Sequence, residues 1–104
     1  GGLTLMKSKR TKALSITPKV KKTVYERDGG RCVLCGSPHG LPEAHYIPRS
    51  RGGLGIPENI VTLCRNCHRE LDQTTRRAEL LERVKAHLDI WYPDFSDDDR
   101  IYKK

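Results

Sequence analysis

Residues 32–68, CVLCGSPHGLPEAHYIPRSRGGLGIPENIVTLCRNCH, begin on one C-x-x-C pair, Cys32 and Cys35, and end on another, Cys64 and Cys67. In such a knuckle a tight turn points two thiolates at one metal ion, and two knuckles complete a tetrahedron. Zinc is the expected metal. A redox C-x-x-C normally occurs once in a βαβ context that is missing here, and nothing in the sequence indicates the oxidising compartment that disulfides require. A four-cysteine site is closed, with no open position for substrate or water, so it predicts a structural clamp and places any chemistry elsewhere. The 28 residues between the knuckles exceed the roughly 15 to 20 of a compact four-cysteine module. A further element is therefore built between them.

Turn residues stand at Gly36-Ser37-Pro38, at Gly52-Gly53 and at Gly55, and they separate two strand-like runs, residues 43–47 and 60–63. Residues 65–71 lack glycine and proline and predict a helix directly after the second strand. The order is β, β, α. Upstream, Thr17 caps a helix with Pro18 in its first turn and Val20 and Val24 at four-residue spacing, and Gly29-Gly30 ends it. Downstream, residues 75–91 place Ala78, Leu81, Val84, Leu88 and Trp91 on one stripe, with Glu79 four residues before Arg83 and Pro93 closing the helix. The expected class is α+β: a small ββα core stapled by the zinc site, flanked by an N-terminal helix and a C-terminal amphipathic helix. The expected division is a basic flexible arm over residues 1–16, one domain over residues 17–92 and a charged, frayed tail over residues 93–104.

The chain has 104 residues, 36% of them hydrophobic and six aromatic, the size of one small domain. Folding at this length buries about two-thirds of the chain's surface, so the apolar core is thin and a staple is expected. No apolar run approaches the ~20 residues of a membrane helix, and the start GGLTLMKSKR lacks the apolar core of a secretory signal. A soluble, cytoplasmic protein without a membrane partner is the expectation. Residues 1–31 hold nine Lys/Arg and two acids, residues 32–69 four and two, and residues 70–104 seven and nine. The basic excess is N-terminal. A one-ended charge of this kind suggests a polyanionic partner such as nucleic acid, or a solvated basic tail.

Taken singly, His45, Asn59 and His68 read as ordinary structural or surface residues. In that order, over strand, loop and helix and interleaved with the knuckles, the segments CVLC, AHYIPRSRGG, PEN and VTLCRNCH resemble the HNH endonuclease family, in particular its zinc-stapled members in bacteria and tailed phages. The resemblance covers residues 25–72. It implies a ββα-metal active site that hydrolyses a phosphodiester of DNA with one divalent ion, Mg²⁺ or Mn²⁺. His45 matches the general base, Asn59 the middle residue that orients the base or its loop, and His68 a metal ligand at the start of the helix. It leaves as alternatives a zinc-stabilised nucleic-acid-binding module without catalysis, and an accessory subunit among phage packaging proteins. A phage origin would place the protein in the host cytoplasm.

One position departs from the family pattern. Before the base histidine the family commonly carries Asp or His as a metal ligand, and here Ala44 offers no ligand atom. Asp72 lies four residues after His68, on the same helical face, and a histidine with a carboxylate suits a hard divalent ion. Glu43 is the second candidate, since strand alternation puts it on the face of His45. Arg49 and Arg51 beside the Gly-Gly turn, Arg65 and Arg69 on the ββα helix, and Lys19, Lys21 and Lys22 on the preceding helix make a backbone-gripping track for nucleic acid. No base-reading set accompanies them, so weak sequence specificity is expected. His39 reads as a turn residue, His87 as lying off the apolar stripe of the last helix, and Tyr46 as a packing residue.

Overall fold

The computed structural model describes residues 9–73 and 75–103, with only the backbone at Gln73. Among the described residues, four helices and one two-stranded antiparallel sheet follow in the order α1 (Lys9–Leu14), α2 (Pro18–Asp28), β1 (Leu41–His45), β2 (Ile60–Leu63), α3 (Arg65–Gln73) and α4 (Arg77–Trp91), with 3-10 turns at Arg49–Arg51 and Asp98–Arg100. The class is α+β with the ββα order. Among the described residues no helix is long and apolar enough to cross a membrane.

Helix α2 starts where its sequence says it should. The Thr17 hydroxyl accepts from the Val20 amide at 3.2 Å, proline occupies the first turn, and Gly29 closes the helix at φ 66°. Strand β1 pairs with β2 as Leu41↔Leu63, Ala44↔Val61 and His45↔Ile60, with an irregularity between Leu41 and Ala44. The first strand begins two residues before the expected 43–47 and ends two residues earlier. The reason is that Tyr46 still donates to the Asn59 carbonyl, but at Ile47 the backbone partner is the Asn59 side chain. That side chain is fully buried and makes three bonds: Oδ1 accepts from the Ile47 amide at 2.9 Å, and Nδ2 donates to the carbonyls of Ile47 at 3.1 Å and Leu54 at 2.8 Å. Gly53 is tied into the same loop, where a Cβ would collide with the Ile47 carbonyl oxygen.

The core joins the knuckle residues Cys32, Leu34 and Cys64 to Ala44, Val61 and Leu63 of the sheet, Leu71 of α3, and Leu80, Val84 and Leu88 of α4. The stripe of the last helix is thus rotated from the expected one. Leu80 is buried, Leu81 is only partly so, and Ala78 and Trp91 face solvent. The expected Glu79–Arg83 pair gives way to longer reaches, because Arg83 Nη2 donates to the Leu34 carbonyl at 2.6 Å while Glu79 meets Arg76 at 3.4 Å. His87 also turns inward, with Nε2 2.8 Å from Asp28 Oδ1.

Both ends differ from the loose segments expected. Residues 1–8 and 104 lie outside the described residues, but Lys9–Leu14 is helical and Leu14 is buried. At the other end, Arg100 is fully buried between the rings of Tyr46 and Phe95, 5.4 and 5.3 Å from their centroids, and Nε donates to the Glu58 carbonyl at 2.6 Å. Gly53 bridges Ile101, and the Leu54 amide donates to the Arg100 carbonyl at 2.8 Å. A guanidinium held this way fixes the tail to the loop that follows β1, an effect that the charge pattern DFSDDDRIYKK hid.

Candidate functional site

The four cysteines converge. Their sulfurs all lie within 4.8 Å of one another, and among the described residues this is the one group of three or more potential ligands that meets so closely. Sulfurs each about 2.3 Å from one zinc ion stand about 3.8 Å apart along a tetrahedral edge, and Cys35 and Cys64 are 3.7 Å apart. The donor set fits a structural metal such as zinc. Each knuckle is fixed by its own backbone: the Gly36 amide closes the first on the Cys32 carbonyl at 2.8 Å, and the Cys67 amide approaches Cys64 Sγ at 3.4 Å in the second. The Val33 amide donates to the Thr62 carbonyl at 3.0 Å, so the clamp is bonded directly to β2. His39, which is exposed, lies across a cleft from the cysteines and is not part of the set.

His45 and His68 line one cavity. Strand β1 turns Ala44 fully into the core and leaves Glu43 and His45 on the other side. Helix α3, which starts one residue after Cys64, carries His68 and Asp72 a turn apart with Nε2 and Oδ2 at 3.6 Å. A cavity of about 190 Å³ is lined by Glu43, His45, Arg49, His68, Asp72 and Arg77. Two donors each about 2.1 Å from one hard cation lie no more than about 4.2 Å apart, so the His68–Asp72 spacing fits a shared ion. Glu43 lines the same cavity but is engaged by Lys21 at 3.3 Å. Asn59 does not line it. Its role in the geometry is to lock the loop after β1, next to His45.

His45 is half-buried, and burial lowers its pKa below the ordinary range. The hydrogen bond to the Leu14 carbonyl opposes this, while the neighbouring Arg49 guanidinium and His68 imidazole add to it. The ring is therefore neutral at neutral pH, the state in which an imidazole accepts a proton. Burial beside Asp97 pushes the Tyr46 phenol up to about 12, and its hydroxyl donates to Asp97 Oδ2 at 3.1 Å, so Tyr46 packs and bonds without being available as a base.

Of the basic residues, Arg49 lines the histidine cavity, and Arg51 lies on a neighbouring cleft of about 470 Å³ with Arg77 and Pro48. Lys21 is joined to Glu43, and Lys19, Lys22 and Arg69 are exposed. Arg65 faces the cysteine cleft instead, away from the cavity of the histidines. Sequence reasoning passed over Arg77. It reaches back from the start of α4, with Nη1 donating to the Leu71 carbonyl at 2.9 Å and lying 3.9 Å from Asp72. The available signal was its place five residues after Asp72, across a short turn. The Leu14 carbonyl was beyond sequence reasoning, because a backbone acceptor has no residue signature.

A family model described as HNH endonuclease matches residues 32–81, the span from the first knuckle into α4. The chain is 35% identical over 80 residues to the type IV methyl-directed restriction enzyme EcoKMcrA of Escherichia coli K12, an alignment covering 68% of this chain and 29% of that enzyme. It is 33% identical over 51 residues to Anaredoxin of Nostoc sp. PCC 7120, covering 48% of this chain and 67% of that protein.

Proposed function

The chain belongs to the HNH endonuclease family, and from that premise we propose that it is a metal-dependent endonuclease that hydrolyses phosphodiester bonds in DNA, with His45 as general base. The observation that carries this reading is the single cavity shared by His45, His68, Asp72, Arg49 and Arg77. His45 takes a proton from the water that attacks phosphorus, the phosphorus–oxygen bond to the leaving group breaks, and the leaving oxygen ends protonated. Arg49 and Arg77 hold the non-bridging oxygens, where guanidinium forks match phosphate geometry. His68 and Asp72 would hold a catalytic Mg²⁺ or Mn²⁺, which when bound stabilises charge on the phosphate and leaving oxygen. Zinc held by Cys32, Cys35, Cys64 and Cys67 would keep β2 and α3 in register beside the cavity that His45 and His68 line. Lys19, Lys21, Lys22, Arg51, Arg65 and Arg69 supply further contacts to the DNA backbone and confer affinity without base reading.

One observation favours a second reading, a zinc-stabilised nucleic-acid-binding module without catalysis. Ala44 occupies the position of a family ligand and is fully buried in the core. Nicking of supercoiled plasmid with added Mg²⁺ or Mn²⁺, compared with EDTA, separates the two. Cleavage that requires the added ion supports the endonuclease, and binding without cleavage under every ion supports the module.

A further inference from the structure

The segment before α2 passes directly over the catalytic histidine. Helix α1 ends at Leu14, whose side chain is buried while its carbonyl oxygen lies 3.0 Å from His45 Nε2. The Gly55 amide donates to the Ala13 carbonyl at 2.9 Å, and Arg10 Nη2 reaches the Arg49 carbonyl at 3.4 Å. The approach to Gly55 is so close that a Cβ there would run into the Ser15 carbonyl oxygen. Ser15 and Ile16 then wall a second cavity of about 330 Å³ on which His45 also opens. A carbonyl only accepts, so in the neutral ring the contact requires the proton on Nε2 and leaves the lone pair on Nδ1.

We propose that residues 13–16 form a strap whose Leu14 carbonyl positions His45, holding the ring in its Nε2–H tautomer so that Nδ1 is the atom that takes the proton from water. The proposal rests on the reading of His45 as base. The strap lies outside residues 32–81, so the part of the chain that the family model covers does not itself contain the group that orients its histidine. An imidazole without a fixed partner rotates and exchanges tautomers, and only one arrangement is productive; a partner that fixes it in advance removes that loss from the reaction. As Nδ1 takes up the proton, the bond from Nε2–H to the carbonyl becomes charge-assisted and strengthens.

The test is the imidazole ¹⁵N spectrum of zinc-loaded, full-length protein, read with plasmid cleavage at saturating DNA. The expected spectrum gives His45 a pyrrole-type Nε2 and a pyridine-type Nδ1. In Gly55→Ala, where the new methyl displaces the Ser15 carbonyl, the two signals move toward averaged values and the rate falls about tenfold with little change in DNA affinity. Leu14→Ala, which loosens the anchor from inside, repeats the measurement if Gly55→Ala does not fold. A pyrrole-type Nδ1 in the wild-type chain overturns the proposal, as do folded Gly55→Ala and Leu14→Ala proteins with unchanged tautomer and rate. Undiminished cleavage by His45→Ala overturns the base reading and with it the assignment of Nδ1, whereas the spectrum reports the strap independently.

Discussion

His87 Nε2 donates to Asp28 Oδ1 across 2.8 Å and 59 positions of chain, tying α4 to the end of α2. The Asp28 side chain is fully buried and also receives Arg27 Nε at 2.8 Å, Arg27 Nη2 at 2.9 Å and the Thr62 amide at 3.0 Å. Arg27 goes on to the carbonyls of Pro57 and Ile60, both at 2.7 Å. One carboxylate therefore joins two helices to β2.

Burial alone would raise the Asp28 carboxyl, but the hydrogen bonds from His87 and Arg27 and the charge of Arg27 outweigh it and hold the group well below the ordinary carboxylate range. A depressed pKa in the folded state gives stability that is present above the unfolded value of about 3.9 and is lost as pH falls below it. Asp28→Asn, which leaves Arg27 buried without its counter-charge, should lower stability by about 3–5 kcal/mol at pH 7. Denaturant titrations of both proteins should show that gap narrowing below about pH 4. A gap independent of pH would contradict the carboxylate's role.

The cysteine clamp predicts one tightly held zinc per chain and no disulfide among Cys32, Cys35, Cys64 and Cys67. Structural zinc sites contribute about 10–16 kcal/mol, comparable with or larger than the ~5–15 kcal/mol total stability of an ordinary domain. Cys64→Ser, or a strong chelator, should therefore abolish the cooperative thermal transition. Metal analysis with thiol counting checks the first statement and calorimetry the second. A zinc-free chain that melts like the loaded one would refute both.

Asp72 and Glu43 make different predictions about the catalytic ion. With Asp72 as the carboxylate ligand beside His68, Asp72→Asn should raise the metal concentration for half-maximal rate at least tenfold while leaving DNA affinity within about twofold. Glu43→Gln should change the metal dependence little. Titrating Mn²⁺ against each variant decides between them, and a shift confined to Glu43→Gln would move the ligand to β1.

DNA affinity should fall steeply with salt, because each neutralised phosphate contributes about −0.9 to the slope of log K against log salt on duplex DNA. Replacing Arg49 and Arg51 together by alanine should reduce the magnitude of that slope by about two, and a Lys19/Lys22 pair by about two again. Fluorescence anisotropy between low and physiological salt measures it. A flat dependence would sink the backbone-contact reading.

The metal clamp and the ββα order were legible because spacing alone carries them: thiolate pairs and turn residues act locally. The same holds for Thr17, Pro18 and Gly29, whose capping chemistry is confined to one turn. The misread parts depend on distant partners. Arg100 looked like one more charge in a solvated tail until Tyr46, Phe95 and the Glu58 carbonyl enclosed it. His87 read only as lying off the apolar stripe until Asp28 supplied its partner, and the stripe of α4 was rotated because the core recruits Leu80 rather than Ala78. Arg83 illustrates the same limit, since its acceptor is a backbone carbonyl 49 positions away. At the candidate site, the resemblance to the family pointed to His45 and His68, and the four-residue spacing from His68 pointed to Asp72. Arg77 and the Leu14 carbonyl reach that site only through tertiary packing.

The most direct test of the central claim is single-turnover cleavage of supercoiled plasmid by the intact protein and by His45→Ala, with saturating Mg²⁺ or Mn²⁺, across pH. A general base is worth about 10²–10⁴ in rate and little in binding, so His45→Ala should lose at least a hundredfold in rate while binding DNA within about twofold. Because burial lowers the pKa of His45, the wild-type rate should rise with pH and reach half its plateau below the ordinary histidine value of about 6.5. Wild-type cleavage by His45→Ala, or no ion-dependent cleavage by the intact protein, would contradict the assignment of this cavity as the active site of a nuclease.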